Sequence, residues 1–286
     1  MRKQMFANIS AIKRYRKAYK NWISVLIKKK LGKERIGVVL KDGRKLTLSN
    51  VSQGVRFILM SRGFNGNIIN EDAISFVYEG HEVKLHGWQY GHITSAFLNL
   101  ERLDVKNKRV LDVGASIGDT AVNFVLRGAK EVVAFEPYPF PYRYAEKNVE
   151  ENGFRNLYVI NAGVGEENTS VQLSERETTV CHSLKAQSEG PHVPVYSLDY
   201  VIEKYGPFDV MKMNCEGCEY GAVLNSLRIA EIKQIEIEYH YGFEKLKERL
   251  EAYGFIVEVT KPNKFYSPYA QKPNMIQEGH IYAYKA

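Results

Sequence analysis

Cysteine is scarce in this chain, with three in 286 residues, and an odd number in a mid-sized sequence does not suggest a disulfide framework. Long apolar runs are missing as well. The run Trp22 to Ile27 is cut off by Lys28-Lys-Lys30, well short of the roughly 20 apolar residues that cross a bilayer. It is also too short and lies too far in for a secretory signal. A soluble protein of the cytoplasm is expected. There is no internal repeat and no low-complexity tract. Acid is nearly absent from one end: residues 1 to 50 hold fifteen Lys/Arg against Glu34 and Asp42, so that part carries +13 of a net charge of +7 and the remainder sums to −6. A basic arm on an acidic body suits an anionic surface such as phospholipid, nucleic acid or a charged glycan, which would place the protein at the membrane periphery in the first case. The same charges also suit a solvated helix face. No stable protein partner is implied.

What is present is a 44% apolar chain, enough for one α/β domain with an N-terminal addition. Its organising stretch is Val110-Leu-Asp-Val-Gly-Ala-Ser-Ile-Gly-Asp-Thr120. Arg109 to Val113 is a short apolar run, Gly114 and Gly118 break it, and an apolar periodic segment starts at Ala121: strand, glycine turn, helix. A ligand site at the carboxyl end of a parallel strand follows. Dinucleotide binding needs G-x-G-x-x-G, and Ser116 stands where the second glycine would admit the pyrophosphate. Gly114-Ala-Ser116-Ile-Gly118 satisfies G-x-S-x-G, so a serine hydrolase with Ser116, Asp209 and His240 in chain order has to be weighed. No His-Gly-Gly segment precedes it to form an oxyanion hole. The third class, S-adenosylmethionine binding, has no pyrophosphate and needs an acid for the ribose. The next strand, Glu131 to Phe135, ends in Glu136, whose carboxylate can accept both ribose hydroxyls. Asp112 could serve the methionine ammonium group directly or through water.

The segments DVGASIGDT, VVAFEPYP, Tyr144 to Asn152 (YAEKNVEEN) and Asp209 to Glu219 (DVMKMNCEGCE) together resemble the FkbM family of S-adenosylmethionine-dependent methyltransferases over about residues 90 to 260. Asn214 stands where that family usually has aspartate. The resemblance implies an α/β class I methyltransferase: a Rossmann-like seven-stranded sheet with an antiparallel last strand. It also implies methylation of a hydroxyl on a sugar, glycolipid or related metabolite, a small-molecule or glycan acceptor. The domains expected are residues 1–104, a basic helix with a small β-rich cap, and residues 105–286, the cofactor-binding domain. Cofactor contacts are expected from Asp112, Gly114, Ala115, Ser116, Gly118, Glu136 and Asn214. In the resembled family the segment matching His86 to Gly91 borders the cofactor, which would put Tyr90 near the methionine end.

Residues 5 to 26 place Met5, Ile9, Ile12, Tyr15, Tyr19, Trp22 and Leu26 on one helical stripe, suited to docking on the chain's own domain or to an anionic membrane surface. Hairpins are expected at Val38 to Leu48, turning at Asp42-Gly43, and at Ala73 to Leu85, turning at Glu79-Gly80. Ile93 to Leu103 reads as a helix. A helix ends at Gly153, and Leu157 to Ala162 gives a third strand with Asn161 and Ala162 at the adenine. Val171 to Leu173 and Thr179 to Ser183 suggest an inserted hairpin. Ser197 to Tyr205 reads as a helix, Phe208 to Met213 as strand four, Gln234 to His240 as strand five and Phe243 to Tyr253 as a helix. The last two strands are Phe255 to Thr260 and His280 to Lys285.

Methyl transfer to a hydroxyl needs a base. The carboxyl ends of strands four and five supply Lys212, Asn214, Glu216, Glu219, Glu238 and His240. Glu216 or His240 is the expected base, and Lys212 orients a carboxylate, holds the acceptor, or pairs with Glu219 or Glu238. Cys215 and Cys218 have C-x-x-C spacing that could carry redox chemistry or that Cys181-His182 could complete as a zinc site, but the family block already accounts for both cysteines and no metal is expected. No N/D-P-P-Y/F segment, which serves methylation of exocyclic amines, follows strand four. RNA methylation aided by the basic arm is the alternative.

Overall fold

The computed structural model describes residues 11–98, 102–173, 189–266 and 275–285, in two compact units, Met1–Ser95 and Ala96–Ala286. In the first unit, residues 11–18 are helical (α1) and Trp22–Lys30 forms α2. β1 (Ile36–Val39) and β2 (Lys45–Leu48) pair in antiparallel register, followed by α3 (Val51–Met60). A sheet of β3 (Asn67–Ile68), β4 (Ala73–Tyr78) and β5 (His81–His86) completes it. Both expected hairpins are therefore present.

The expected single helix over residues 5 to 26 is corrected: residues 5–10 lie outside the described residues, and the remainder breaks at Tyr19 to Asn21. The cause is a backbone that finds a better partner than the next helical turn. Tyr19 bridges to Leu40, Lys20 N–H donates to Val39 O at 2.7 Å, and the Asn21 amide donates to Gly37 O while accepting from Val39 N–H. Tyr15 and Tyr19 are buried within this unit; the Tyr19 hydroxyl donates to Val51 O, and that of Tyr15 shares a hydrogen bond with Ser52.

The helix α4 (Ile93–Leu98) spans the division between the units. Two β–α steps and a third strand follow: β6 (Arg109–Val113), α5 (Asp119–Leu126), β7 (Glu131–Phe135), α6 (Pro139–Asn152) and β8 (Leu157–Ile160). Gly153, in a left-handed conformation, closes α6 as the sequence predicts. Next come β9 (Gly163–Gly165), β10 (Thr169–Gln172), β11 (His192–Ser197) and α7 (Leu198–Tyr205), which Ser197 caps through the Tyr200 N–H. The chain ends with β12 (Val210–Met213), α8 (Cys218–Asn225), β13 (Gln234–Tyr239), α9 (Glu244–Ala252), β14 (Ile256–Val259), β15 (Asn263–Tyr266) and β16 (Met275–Tyr284).

The main sheet runs β14-β16-β13-β12-β6-β7-β8, with β15 added beside β16. β13, β12, β6, β7 and β8 are parallel, and β16 is antiparallel to both its neighbours. This is the expected class I methyltransferase sheet. Strand order reverses between β6 and β12, and such a switch point leaves a crevice beyond the carboxyl ends of the strands. Leu111, Val113, Met211, Met213, Ile235, Ile237 and Tyr239 pack in one core with α7, α8 and α9 residues such as Val201, Val223 and Leu246. The expected inserted hairpin is present, with its second strand at His192–Ser197 rather than near Thr179. β10 pairs with β11, and β11 also pairs in parallel with β9, while Thr179 to Ser183 lies outside the described residues.

Candidate active site

The turn after β6 is shaped by a close backbone approach. A Cβ on Gly114 would lie 1.8 Å from the carbonyl oxygen of Asn214, and its φ is +79°, so only glycine lets the two loops at the switch point touch. Ser116 also has a positive φ, 51°, a conformation a serine keeps only when its surroundings hold it. The holder is Glu136: its Oε2 accepts from Ser116 N–H at 2.8 Å and its Oε1 from Tyr138 N–H at 2.9 Å. The Gly114 and Ala115 N–H groups both donate to Phe135 O. Gly118 caps α5 in a left-handed conformation.

Glu136 is buried, and burial pushes its carboxyl pKa up to about 7 against the pull of the Tyr138 and Ser116 N–H groups and Lys212. Each carboxylate oxygen uses one of its acceptor directions on the backbone, which leaves one for a further donor. That pair of free acceptor positions fits a ribose diol, so Glu136, with the turn from Gly114 to Gly118, would hold the sugar of S-adenosylmethionine. Asn161 braces this arrangement. Its amide donates to Glu136 O at 2.9 Å and Pro137 O at 3.0 Å, and Ala162 N–H donates to Ile160 O. The Asn161 amide is thus engaged on the backbone at Glu136, while the Ala162 N–H turns back onto the end of β8.

Asp112 is completely buried, flanked by Thr120, whose hydroxyl donates to Oδ2, and by Lys212, whose Nζ lies 3.1 Å from Oδ1. It is linked to the cofactor turn through Lys212, whose Nζ also donates to Gly114 O at 3.1 Å. Lys212 therefore pairs with neither Glu219 nor Glu238. The cause is register, because Lys212 stands opposite Asp112 on adjacent parallel strands. Burial opposes the lysine charge, but Asp112, Asp119 and Glu238 together raise its pKa above the ordinary value.

Beyond β12, Asn214 donates its amide to Glu238 Oε2 at 2.7 Å, and its buried Oδ1 has no partner among the described residues. Such an orphan acceptor suits a donor group of a bound molecule. Glu216 follows with φ 58°. Its Oε2 lies 3.2 Å from His240 Nε2, and Glu219 Oε1 lies 3.0 Å from His240 Nδ1. Burial works against the imidazolium, but the hydrogen bonds and charges of Glu216 and Glu219 prevail and lift the His240 pKa to about 11. His240 thus holds its proton between two carboxylates, and of the two expected bases Glu216 is the one left to accept a further proton. Glu219 is among the candidates at the ends of strands four and five, but its pairing with His240 depends on the turn at Glu216 and Gly217, which no helical spacing predicts.

Cys215 and Cys218 form a disulfide with Cα atoms 5.4 Å apart, against the expectation that the cysteines stay unpaired. The positive φ values of Glu216 and Gly217 fold the intervening residues into a turn tight enough to meet the geometric requirement. Cys181-His182, the other half of the weighed zinc site, lies outside the described residues. The hydrolase triad is not assembled. Asp209 precedes β12 at its amino end, where it accepts from Arg109 N–H and pairs with Lys233, whereas Ser116 follows the carboxyl end of β6. Tyr90 lies in the first unit, its N–H bonded to Gly87 O.

Strand order, switch-point turn and buried second-strand carboxylate define a class I methyltransferase domain. The family model for the FkbM methyltransferase domain matches residues 112–257, just over half of the chain, and the chain belongs to that family, whose cofactor is S-adenosylmethionine. An uncharacterized protein of Methanocaldococcus jannaschii is 34% identical over 84 residues, covering 27% of this chain and 32% of the relative. A putative protein N5-glutamine methyltransferase of the same organism is 35% identical over 75 residues, covering 26% of this chain and 38% of the relative. The chain thus spans roughly a third of the length of either. Among solved structures, Pyrococcus horikoshii TYW2 in complex with MeSAdo is similar, with 15% identity, coverage of 94% of this chain and 84% of that one, and a TM-score of 0.43.

Proposed function

We propose that this chain transfers the methyl group of S-adenosylmethionine to a hydroxyl of a sugar, glycolipid or related metabolite, with Glu216 as the base. The observation that carries the reading is the Glu216–His240–Glu219 constellation at the carboxyl ends of β12 and β13, the strands beside the cofactor turn. Bound S-adenosylmethionine supplies an electrophilic methyl on a sulfonium whose departure leaves a neutral thioether. The chain's own task is to align an oxygen in line with that methyl and to remove its proton. Glu216, with 20% of its side chain exposed, is the reachable member; Glu219 is fully buried and anchors the Nδ1 side of His240. The hydroxyl proton passes to Glu216 as the new carbon–oxygen bond forms, and the imidazolium of His240 stabilises the carboxylate's position throughout. Lys212 holds the cofactor turn through Gly114 O and does not touch the acceptor.

Oxygen rather than nitrogen is favoured because Asn214-Cys-Glu-Gly follows strand four where a prolyl-aromatic segment would serve an amine. The test supplies carbon-13-methyl S-adenosylmethionine together with separate pools of glycosides, glycolipids, glutamine-containing peptide and RNA, and reads the product by NMR. A methyl ether in the glycoside or glycolipid pool, lost in Glu216→Gln, is expected. Label on nitrogen, or in RNA or peptide alone, overturns the acceptor class.

A further inference from the structure

The stripe that the sequence offers to a membrane is not the one the fold leaves open. Tyr15, Tyr19 and Val25 are buried in the first unit. On α2 the opposite side carries Ile23, Ile27 and the helix-terminating Leu31, which are 57%, 55% and 68% exposed. Their spacing of four puts them in one row along the helix. Large aliphatic side chains exposed singly are ordinary, but three in a row on one short helix form a patch.

The charges around this row have one sign. Lys28, Lys30 and Lys33 are exposed beside it, Arg14, Arg16 and Lys17 are exposed on α1, and no acidic residue stands between Ala11 and Lys33. Nucleic acid would use these lysines through its phosphates while leaving the isoleucines in water. An anionic bilayer uses both. Its headgroup phosphates and carboxylates meet the lysines, and the boundary between headgroups and acyl chains takes up the apolar row. The length is right for lying on a surface rather than crossing it, and no described helix is long and apolar enough to span a membrane.

We propose that α2 is a peripheral membrane-docking helix, seated on anionic phospholipid through Ile23, Ile27 and Leu31 and steered there by Lys28, Lys30 and Lys33. It requires nothing of the methyl-transfer site and stands or falls separately from it.

The experiment is flotation of the full chain with vesicles of phosphatidylcholine alone and of phosphatidylcholine with about 30% phosphatidylserine, the lipid that sets the surface charge. The wild type is expected to float with the charged vesicles and not with the neutral ones. Ile23→Asp combined with Ile27→Asp, both at exposed positions, should lower the bound fraction at least tenfold. Lys28→Gln combined with Lys30→Gln should lower it roughly 25-fold, about fivefold for each lysine. Far-ultraviolet circular dichroism confirms that each variant is folded. Equal binding to neutral vesicles, or binding to charged vesicles that ignores the isoleucine substitutions, overturns the proposal. So does failure to bind either vesicle, whether or not a single-stranded RNA oligomer is retained in a parallel anisotropy measurement.

Discussion

The Nζ of Lys212 lies 3.1 Å from the Asp112 carboxylate on the neighbouring strand and 3.1 Å from the carbonyl oxygen of Gly114. One buried cation thereby ties strand four to the strand and the turn that carry the cofactor site. Removing a single member of a buried pair leaves the other charge without compensation, at a cost of about 3–5 kcal/mol. Lys212→Met is expected to lose stability of that order in urea unfolding. Adding Asp112→Asn should recover a substantial part, because the stranded charge is then gone. A double variant no more stable than the single one would show that Lys212 acts by another route.

Gly114 is the position at which the two loops touch. Alanine there must adopt a left-handed backbone, which costs about 1–2 kcal/mol by itself, and must also displace Asn214, whose carbonyl oxygen lies 1.8 Å from the added carbon. Gly114→Ala is expected to destabilise the domain by more than the conformational cost and to weaken S-adenosylmethionine binding, measured by unfolding and calorimetry together. A variant of unchanged stability and affinity would contradict the loop contact.

Glu136 couples cofactor binding to pH. In the folded protein its pKa stands at about 7, above the ordinary value of 4.5, so without cofactor its contribution to stability is full below about pH 4.5 and is lost as pH rises through 7. Ribose hydroxyls donate to the ionised form, so binding releases this proton and tightens with rising pH. Affinity should improve roughly tenfold from pH 6 to pH 8, one pH unit on either side of the folded value. Glu136→Gln should bind weakly and without that slope. A wild type with no slope would remove the coupling.

His240 has the opposite use for its proton. Its folded pKa, about 11, lies above the ordinary 6.5, so the stability it gives is fully present below about pH 6.5 and falls as pH rises toward 11. Unfolding measured across that window should show the decline, and His240→Gln should flatten it. Glu216→Gln is expected to lower kcat by roughly 10²–10⁴, the usual range for loss of a positioned base, with cofactor affinity unchanged. A variant that keeps full kcat would move the base elsewhere.

The sheet was legible because its strands advertise themselves. Arg109 to Val113 and Glu131 to Phe135 are apolar runs closed by glycine or proline, and both form strands over those residues. The glycine turn and Glu136 were readable for the same reason. Other features were hidden by physics that no local pattern carries. β15 is exposed along its whole length, so it shows no alternation of apolar and polar residues. α3 has Gly54 in its interior, where any Cβ would collide with the Tyr19 hydroxyl and Leu48, and this tertiary demand outweighs glycine's poor helix propensity. The break between α1 and α2 comes from Asn21 reaching β1, a partner distant in sequence. Lys212 and Asp112 meet through strand register across the switch point, and His240 keeps its proton because two carboxylates, Glu216 before α8 and Glu219 in its first turn, converge on it.

The most direct test of the account is calorimetric titration of S-adenosylmethionine into the wild type, Glu136→Ala and Glu216→Gln. The account predicts that the wild type and Glu216→Gln bind alike. Glu136→Ala should bind at least tenfold more weakly, the loss expected when hydrogen bonds to a charged group are removed. Equal affinity in all three, or no binding by the wild type, would contradict it.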